Sequence, residues 1–461
     1  VSALAARNGG RVGLAALAAI LLLGLGLRAD NAWQGRPPVY DAVAYARIAA
    51  NLERGEGFSL GRTATQPASN YSPGLPLLAA GLYKLTGGTH ERFARVVLAL
   101  IGTLAVLFAY LIARCLRSPF AGLIAAAGVA IYPALLEYQG MLMTEPLAAT
   151  LLSGAVLAML WADSSSPRQD PRARWLVPGV LLGALALVRP EYLAISLPIA
   201  LAVLARHGWE GWRAGLAQAG ILLAGLALLV APWTARNAVA LDRFVPISTG
   251  GGQVLFAGSY LPSGGDPEAV GREVLKRHPG LTRRLVSEHL PPSSQFSSHS
   301  ETNRQLTPVV LGGVRLEEIL AGLASQRYPR TPNDEALARM GRERLWDDVS
   351  EHPIEYAGFL AAKLGLIWLH GPRDVMREPA WAALHWALLG FGLLGLVMLA
   401  LRRRWEALLL ATALAAATLV GLLLVASPRR SLVTIPLVAA LAGVGAAWAA
   451  TFLRERSQAS S

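Results

Sequence analysis

The sequence predicts an all-α polytopic membrane protein: about ten transmembrane helices, with two large extracytoplasmic loops containing surface helices. Three observations carry this. The 461 residues are 54% hydrophobic and only 16% charged, whereas a soluble chain carries about a quarter charged residues. Apolar runs recur along the chain at spanning length, a bilayer core needing about 20 mainly apolar residues per helix. Arginines stand at the ends of many of these runs, where they set topology.

The first run, 12–28, follows Arg7 and Arg11 and could serve as the core of a signal peptide. No convincing small-x-small cleavage site follows and many runs come later, so it reads as a retained first span. Further spans are expected near 92–113, 119–134, 144–162, 174–189, 190–206, 214–232, 379–401, 405–426 and 431–453. Arg7 and Arg11, Arg114 and Arg117, Arg168, Arg172 and Arg174, and Arg206 and Arg213 fall at alternate turns. The positive-inside rule assigns those turns, and the N-terminus, to the cytoplasm.

Two long segments then lie outside, about 29–91 and about 233–352. In the first, Val39 to Arg54 reads as a helix on the outer surface. A proline-punctuated loop, Asn70-Tyr-Ser-Pro-Gly-Leu-Pro76, leads from it back toward the membrane. In the second, Pro262-Ser-Gly-Gly-Asp-Pro and the polar stretch 291–300 read as turns between helical patches near 267–290 and 333–350. That segment is too interrupted to be read as an independent domain.

The segment His352 to His370 is long enough to span but carries Lys363 in its middle. Laid in the interface with Lys363 on its polar side, it keeps Arg402, Arg403, Arg404 and the Arg454-Glu-Arg456 tail inside, as the charge rule favours. The expected organisation is 1–232 as an N-terminal transmembrane module with its loop 29–91, 233–378 as an extracytoplasmic loop region with an interfacial helix, and 379–461 as C-terminal transmembrane helices and a cytoplasmic tail.

Composition also excludes some functions. The net charge of +12 would point to nucleic acid in a soluble protein, but here the arginines flank apolar runs and meet lipid headgroups. Cys115 is the single cysteine, so no intrachain disulfide forms. The eight histidines are scattered, and no Cys/His zinc spacing exists.

The residues that can carry chemistry gather at the outer ends of spans. Asp41 opens the surface helix, with Tyr45, Ile48 and Leu52 on the same face. There it can take a proton from an alcohol, or merely interact with the helix dipole. Glu145, in Met143-Thr-Glu-Pro146, stands at the outer mouth of the fourth span, where a carboxylate is costly to bury and is a functional candidate by default. The plainer alternative is again an N-terminal helix charge. Arg189 and Glu191 share a tight outer turn and can simply pair with each other. Arg236 closes the seventh span, and Arg429 and Arg430 precede the last. Arginines at three outer positions run against the positive-inside rule unless an anion holds them there. A guanidinium matches a phosphate bidentately, so a phosphorylated lipid is the natural partner. The glycines of Thr249-Gly-Gly-Gly252 allow close backbone approach or tight turns, and lack the Gly-Lys-Ser/Thr ending of a phosphate loop.

The ordered set of motifs resembles the GT-C superfamily of membrane glycosyltransferases, and within it the bacterial relatives of protein O-mannosyltransferases and lipid A aminoarabinose transferases. It comprises Asp41-x-x-x-Tyr45, Tyr71-Ser-Pro-Gly-Leu-Pro-Leu-Leu, Thr144-Glu-Pro-Leu, Leu187-Val-Arg-Pro-Glu, Ala231-Pro-Trp-Thr-Ala-Arg-Asn, Arg243-Phe-Val-Pro-Ile-Ser-Thr and Pro428-Arg-Arg-Ser-Leu-Val-Thr-Ile-Pro436. The resemblance implies an enzyme of the bacterial plasma membrane that moves a sugar from a polyprenyl-phosphate donor, with inversion, to a hydroxyl of a protein, lipid or glycan acceptor outside the cytoplasm. It implies catalytic roles for Asp41, as base, and Glu145. Substrate contacts are expected from Tyr45, Tyr71, Arg189, Arg236, Arg429 and Arg430, with Arg429 or Arg430 at the donor phosphate. No cofactor is demanded and no metal ligands are assigned, though the chemistry leaves room for a divalent metal. Two departures stand out: Ser72-Pro-Gly-Leu-Pro76 lacks the Lys or Glu that many relatives carry there, and Glu145 replaces an aspartate, moving its carboxylate out by about 1.5 Å. The rival readings are a transporter or flippase of lipid-linked saccharides, which would need polar sites near the midplane, and a scaffold whose outer loop binds a partner.

Overall fold

The computed structural model describes residues 2–37, 41–61, 67–164, 173–208, 210–289, 315–369, 371 and 374–459, the side chains of 2–10 and 286–289 excepted. Val39, Arg168, Arg172 and the stretch 291–300, all used above, lie outside the described residues, as does the side chain of Arg7.

The chain is all-helical. Its first half runs through α1 (Ser2–Gln34), α2 (Asp41–Glu53), α3 (Gly74–Thr86), α4 (Glu91–Leu116), α5 (Pro119–Ala130), α6 (Pro133–Gln139), α7 (Thr144–Asp163), α8 (Leu176–Val188), α9 (Glu191–Ala205) and α10 (Trp212–Leu241). There follow α11 (Gly251–Ser259), α12 (Ala269–Arg277), α13 (Pro279–His289), α14 (Leu316–Arg327), α15 (Asn333–Glu351) and α16 (Pro353–Trp368). The last are α17 (Pro379–Leu401), α18 (Trp405–Leu423), α19 (Arg429–Leu432) and α20 (Ile435–Ala459). Among the described residues the β-structure is one isolated bridge, Ser59 to Pro67.

Seven of the described helices are long and apolar enough to cross a membrane, and eight if the bent pair α5 and α6 makes one span. Residues 173–188 and α9 are shorter apolar helices. These ten coincide with the ten runs expected from hydropathy. Contacts divide the chain into two compact units, 1–248 with 370–417 and 429–461, and 249–369 with 418–428.

In the first unit, α5 starts cleanly because the Ser118 hydroxyl accepts from the Ala121 amide at 3.2 Å and Pro119 sits in the first turn. The span bends by 52° between α5 and α6. Pro133 has no N–H to give the Val129 carbonyl four residues back, so the ladder breaks there. Arg28, only 1% exposed, fills the gap: its guanidinium donates to the carbonyls of Val129 at 2.9 Å and Ala130 at 3.1 Å.

At one end of this unit, basic groups and indoles interleave. Arg117 and Arg402 each stack 4.0 Å from the Trp448 ring centre, and Arg404 donates to the Leu116 carbonyl at 3.0 Å. Arg206 pairs with Asp163 and stacks on Trp175 and Trp405. The expected cytoplasmic arginines of the second, sixth and eighth turns thus share one end, and Glu145 lies at the opposite end of α7 from Asp163. One boundary differs from expectation: α10 runs nine residues beyond Pro232 to Leu241. It carries Trp233, Arg236 and Asn237 past the end of the expected span.

The second unit has its own apolar core, built from Phe256, Val270, Val274, Leu281, Ile319, Leu320 and Leu337. The helical patches expected at 267–290 and 333–350 are α12 with α13, and α15, to which the structure adds α11 and α14. Lys363 is not on a solvated side of α16 as the sequence suggested; it is 1% exposed. Its ammonium donates to the carbonyls of Gly258 at 2.7 Å and Leu424 at 2.8 Å, and also to that of Leu422. Carbonyls at a helix end lack intrahelical partners, and a buried cation that satisfies them is itself satisfied.

Candidate active site

Four short sequence signals bring charged side chains to one end of the first unit. Asp41 is the first residue of α2. Glu145 stands in the first turn of α7, followed by Pro146, where both the helix dipole and the proline's fixed φ favour a start. Arg189 ends α8 in an extended conformation (φ −138°, ψ 102°), as a residue before proline must, and Glu191 opens α9 directly after it. Arg429 and Arg430 form the first turn of α19 after Pro428.

Together they make an alternating chain of three carboxylates and three guanidinium groups. Arg429 grips Glu145 Oε1 through Nε at 2.8 Å and through an Nη at 2.6 Å, and reaches Asp41 Oδ2 at 3.5 Å. Arg189 holds Glu145 Oε1 at 3.3 Å and, more closely, Glu191 Oε1 at 2.9 Å. Arg430 meets the same Glu191 oxygen at 3.3 Å. The Arg189 guanidinium also donates to the Thr144 hydroxyl, and Arg429 lies over the Tyr138 ring at 5.7 Å. The anions that Arg189, Arg429 and Arg430 meet are thus carboxylates of the chain itself. Exposure separates the acids: the Glu145 side chain is 0% accessible and that of Asp41 45%. Asp41 is the carboxylate that a bound molecule can reach.

Behind Asp41, Tyr45 stands edge-on to Tyr71 at 5.8 Å between ring centres. Burial, and next the charge of Asp41, push the Tyr45 phenol well above its ordinary value, so it stays protonated; it is also hydrogen-bonded to Ser72. The Ser72 hydroxyl donates to the Val188 carbonyl at 2.8 Å. A Cβ at Gly74 would meet the backbone of Leu187 at 2.9 Å, so Ser72-Pro-Gly is the clamp that seats the loop on the end of α8. Tyr71 packs with Trp233 against Ile48, Phe58 and Ala68.

Arg236 is not part of the charge chain. Its guanidinium lies over Trp233 at 4.9 Å and Phe58 at 5.8 Å and donates to the Asn237 side chain. Asn237 in turn holds the carbonyls of Val245 and Ile247. Among the described residues no acidic group pairs with Arg236, and no three His, Cys, Asp or Glu side chains gather as a metal site. Sequence reasoning placed Glu191 no higher than a partner of Arg189, named Thr144 and Ser72 only within motifs, and did not single out Tyr138. The Arg-Pro-Glu turn was the available signal for Glu191; the other three depend on contacts between distant segments.

The family described as dolichyl-phosphate-mannose-protein mannosyltransferase matches residues 69–234. No curated protein is a match in sequence. Among solved structures, the fold is similar to the archaeal oligosaccharyltransferase AglB from Archaeoglobus fulgidus in complex with an inhibitory peptide and a dolichol-phosphate (TM-score 0.55, 16% identity, 94% of this chain and 50% of that one). The apo form of that oligosaccharyltransferase gives the same TM-score of 0.55 at 17% identity, again over 94% of this chain and 50% of that one. The chain therefore spans about half the length of that oligosaccharyltransferase. ArnT from Cupriavidus metallidurans bound to undecaprenyl phosphate aligns at TM-score 0.38 and 14% identity, over 93% of this chain and 76% of that one. The family match covers the stretch that carries Tyr71, Glu145 and Arg189, so this part of the chain is similar to the dolichyl-phosphate-mannose-protein mannosyltransferases.

Proposed function

We propose that the protein is an inverting glycosyltransferase. It moves a sugar from a polyprenyl-phosphate donor to an acceptor hydroxyl of a protein, lipid or glycan, on the extracytoplasmic side of a bacterial plasma membrane. The observation that carries this reading is the reachable Asp41 carboxylate, held 3.5 Å from Arg429 at the head of a buried charge chain. The family match over 69–234 supports the class of donor.

In the reaction, the acceptor oxygen attacks the anomeric carbon from the face opposite the phosphate. Its proton passes to Asp41, the new carbon–oxygen bond forms as the bond to phosphate breaks, and polyprenyl phosphate leaves with the electron pair. A positioned general base contributes about 10²–10⁴-fold. A donor aimed at the growing phosphate charge contributes about 3–4 kcal/mol. Arg429 and Arg430 already engage carboxylates, whereas Arg236 has no acidic partner among the described residues and lies over the Trp233 and Phe58 rings. Arg236 is accordingly assigned the donor phosphate, and Arg429 the alignment of Asp41 and Glu145. Phosphate is a good leaving group and needs no separate acid.

The test is to incubate purified protein with a panel of radiolabelled polyprenyl-phosphate sugars and membrane extract, in parallel with Asp41→Asn. Transfer by the wild type that is abolished in the variant supports the reading. Transfer at wild-type rate by Asp41→Asn, or none from any donor by the wild type, refutes it.

A further inference from the structure

The outer turn Arg189-Pro190-Glu191 has no part in the reaction above, yet Glu191 is the carboxylate that Arg189 holds most closely. We propose that Glu191 is a positioning residue for the transfer: acting through Arg189 and Glu145, it keeps Arg429 from closing on Asp41 and so keeps the base available. This rests on the reading of Asp41 as the base.

The contacts give the reason. Glu145 presents one oxygen, Oε1, to two guanidinium groups, at 2.6 Å to Arg429 and 3.3 Å to Arg189. Arg189 leaves that oxygen mostly to Arg429 because its nearer carboxylate is Glu191, reached through two nitrogens at 2.9 and 3.0 Å. All four groups are largely withdrawn from water, with side-chain exposures of 0% for Glu145, 13% for Arg189, 16% for Glu191 and 27% for Arg429. Attractions there are stronger than at an exposed surface.

Neutralising Glu191 leaves Arg189 with Glu145 as its remaining carboxylate. Arg189 then draws Oε1 toward itself, and Arg429 loosens from Glu145. The nearest anion awaiting Arg429 is Asp41, already 3.5 Å away. A tightened Asp41–Arg429 pair occupies the oxygen that must accept the acceptor's proton, and an added local positive charge makes that carboxylate a weaker base. Glu191 touches neither reactant in this account. Its loss should slow the chemical step and spare donor binding, since Arg236 lies outside the chain.

The experiment uses full-length protein in detergent or liposomes, with the donor that gives turnover in the panel above. The variants are Glu191→Gln, Glu191→Asp, Arg429→Lys and the double variant Glu191→Gln/Arg429→Lys, with Asp41→Asn as control. Affinity for undecaprenyl phosphate is measured separately. Glu191→Gln should lower kcat by about tenfold, leave donor KM and undecaprenyl phosphate affinity within about twofold, and be largely rescued by Glu191→Asp. In the Arg429→Lys background, where the two-nitrogen grip on Glu145 is already gone, the same substitution should cost clearly less, because contacting groups are not additive. An unchanged kcat in Glu191→Gln, an equal loss in both backgrounds, or a loss confined to KM overturns the role of Glu191 while the inactivity of Asp41→Asn leaves the proposed function standing. Full turnover by Asp41→Asn overturns both.

Discussion

The two acids that share Arg429 should respond in opposite ways to the loss of their charge. Glu145→Gln removes a fully buried anion between Arg189 and Arg429, whose nitrogens approach it to 3.3 and 2.6 Å. Breaking a buried ion pair from one side costs about 3–5 kcal/mol. Arg189 keeps Glu191 and Arg429 keeps Asp41, which puts the expected loss near the lower bound, about 3 kcal/mol. Asp41→Asn removes a half-exposed contact of 3.5 Å, worth less than about 1 kcal/mol. It should nevertheless cost about 10²–10⁴-fold in turnover. The assay pairs SDS-induced unfolding of the purified protein with donor turnover. Glu145→Gln should unfold at markedly lower SDS, and Asp41→Asn at nearly the wild-type concentration with turnover lost. If Glu145→Gln is as resistant as the wild type, or if both variants lose stability equally, the division of labour between the two acids is wrong.

Other substitutions test the remaining parts. Arg236→Gln should raise donor KM about tenfold or more, the scale of one charge-assisted phosphate contact, with stability changed by less than about 1 kcal/mol; an unchanged response to donor concentration removes Arg236 from the phosphate site. Arg28→Met leaves the Val129 and Ala130 carbonyls without their donor. It should lower stability by about 2 kcal/mol, the loss of two carbonyl contacts being offset in part by the relief of a buried charge, and wild-type resistance to SDS would refute the capping role. Lys363→Met should destabilise the second unit by a similar amount, seen as faster proteolysis within 249–369, because three carbonyls lose one shared donor.

Span positions were legible because hydrocarbon imposes a length and a composition that any run of about 20 residues either meets or fails. The end of α10 was not. Pro232 looks like a terminator, but within a long helix it removes one hydrogen bond and the helix resumes, carrying Trp233 and Arg236 outward. Arg28 was passed over as a flank of the first span, since its purpose is set by a proline about a hundred residues away. Lys363 was read as solvated because its acceptors are carbonyls of residues 258, 422 and 424, which no pattern in the sequence advertises. Asp41, Glu145 and the outer arginines were found as individuals, from their places at span ends. Their order of contact was not, because Asp41 and Arg429 are 388 positions apart. Seen singly, the arginines called for a lipid phosphate, and contact between segments shows that the chain supplies much of the balancing charge itself.

The second unit draws on two separate stretches, 249–369 and 418–428. The Lys363 ammonium takes one of its acceptors from the first and two from the second. A fragment cut at residue 369 would therefore bury a cation with two of its three oxygen acceptors missing. The soluble-looking loop region cannot be excised as a contiguous piece for crystallisation or binding work. A preparation of it needs the 418–428 segment grafted back by a linker, or a circular permutant that makes the two stretches neighbours in sequence.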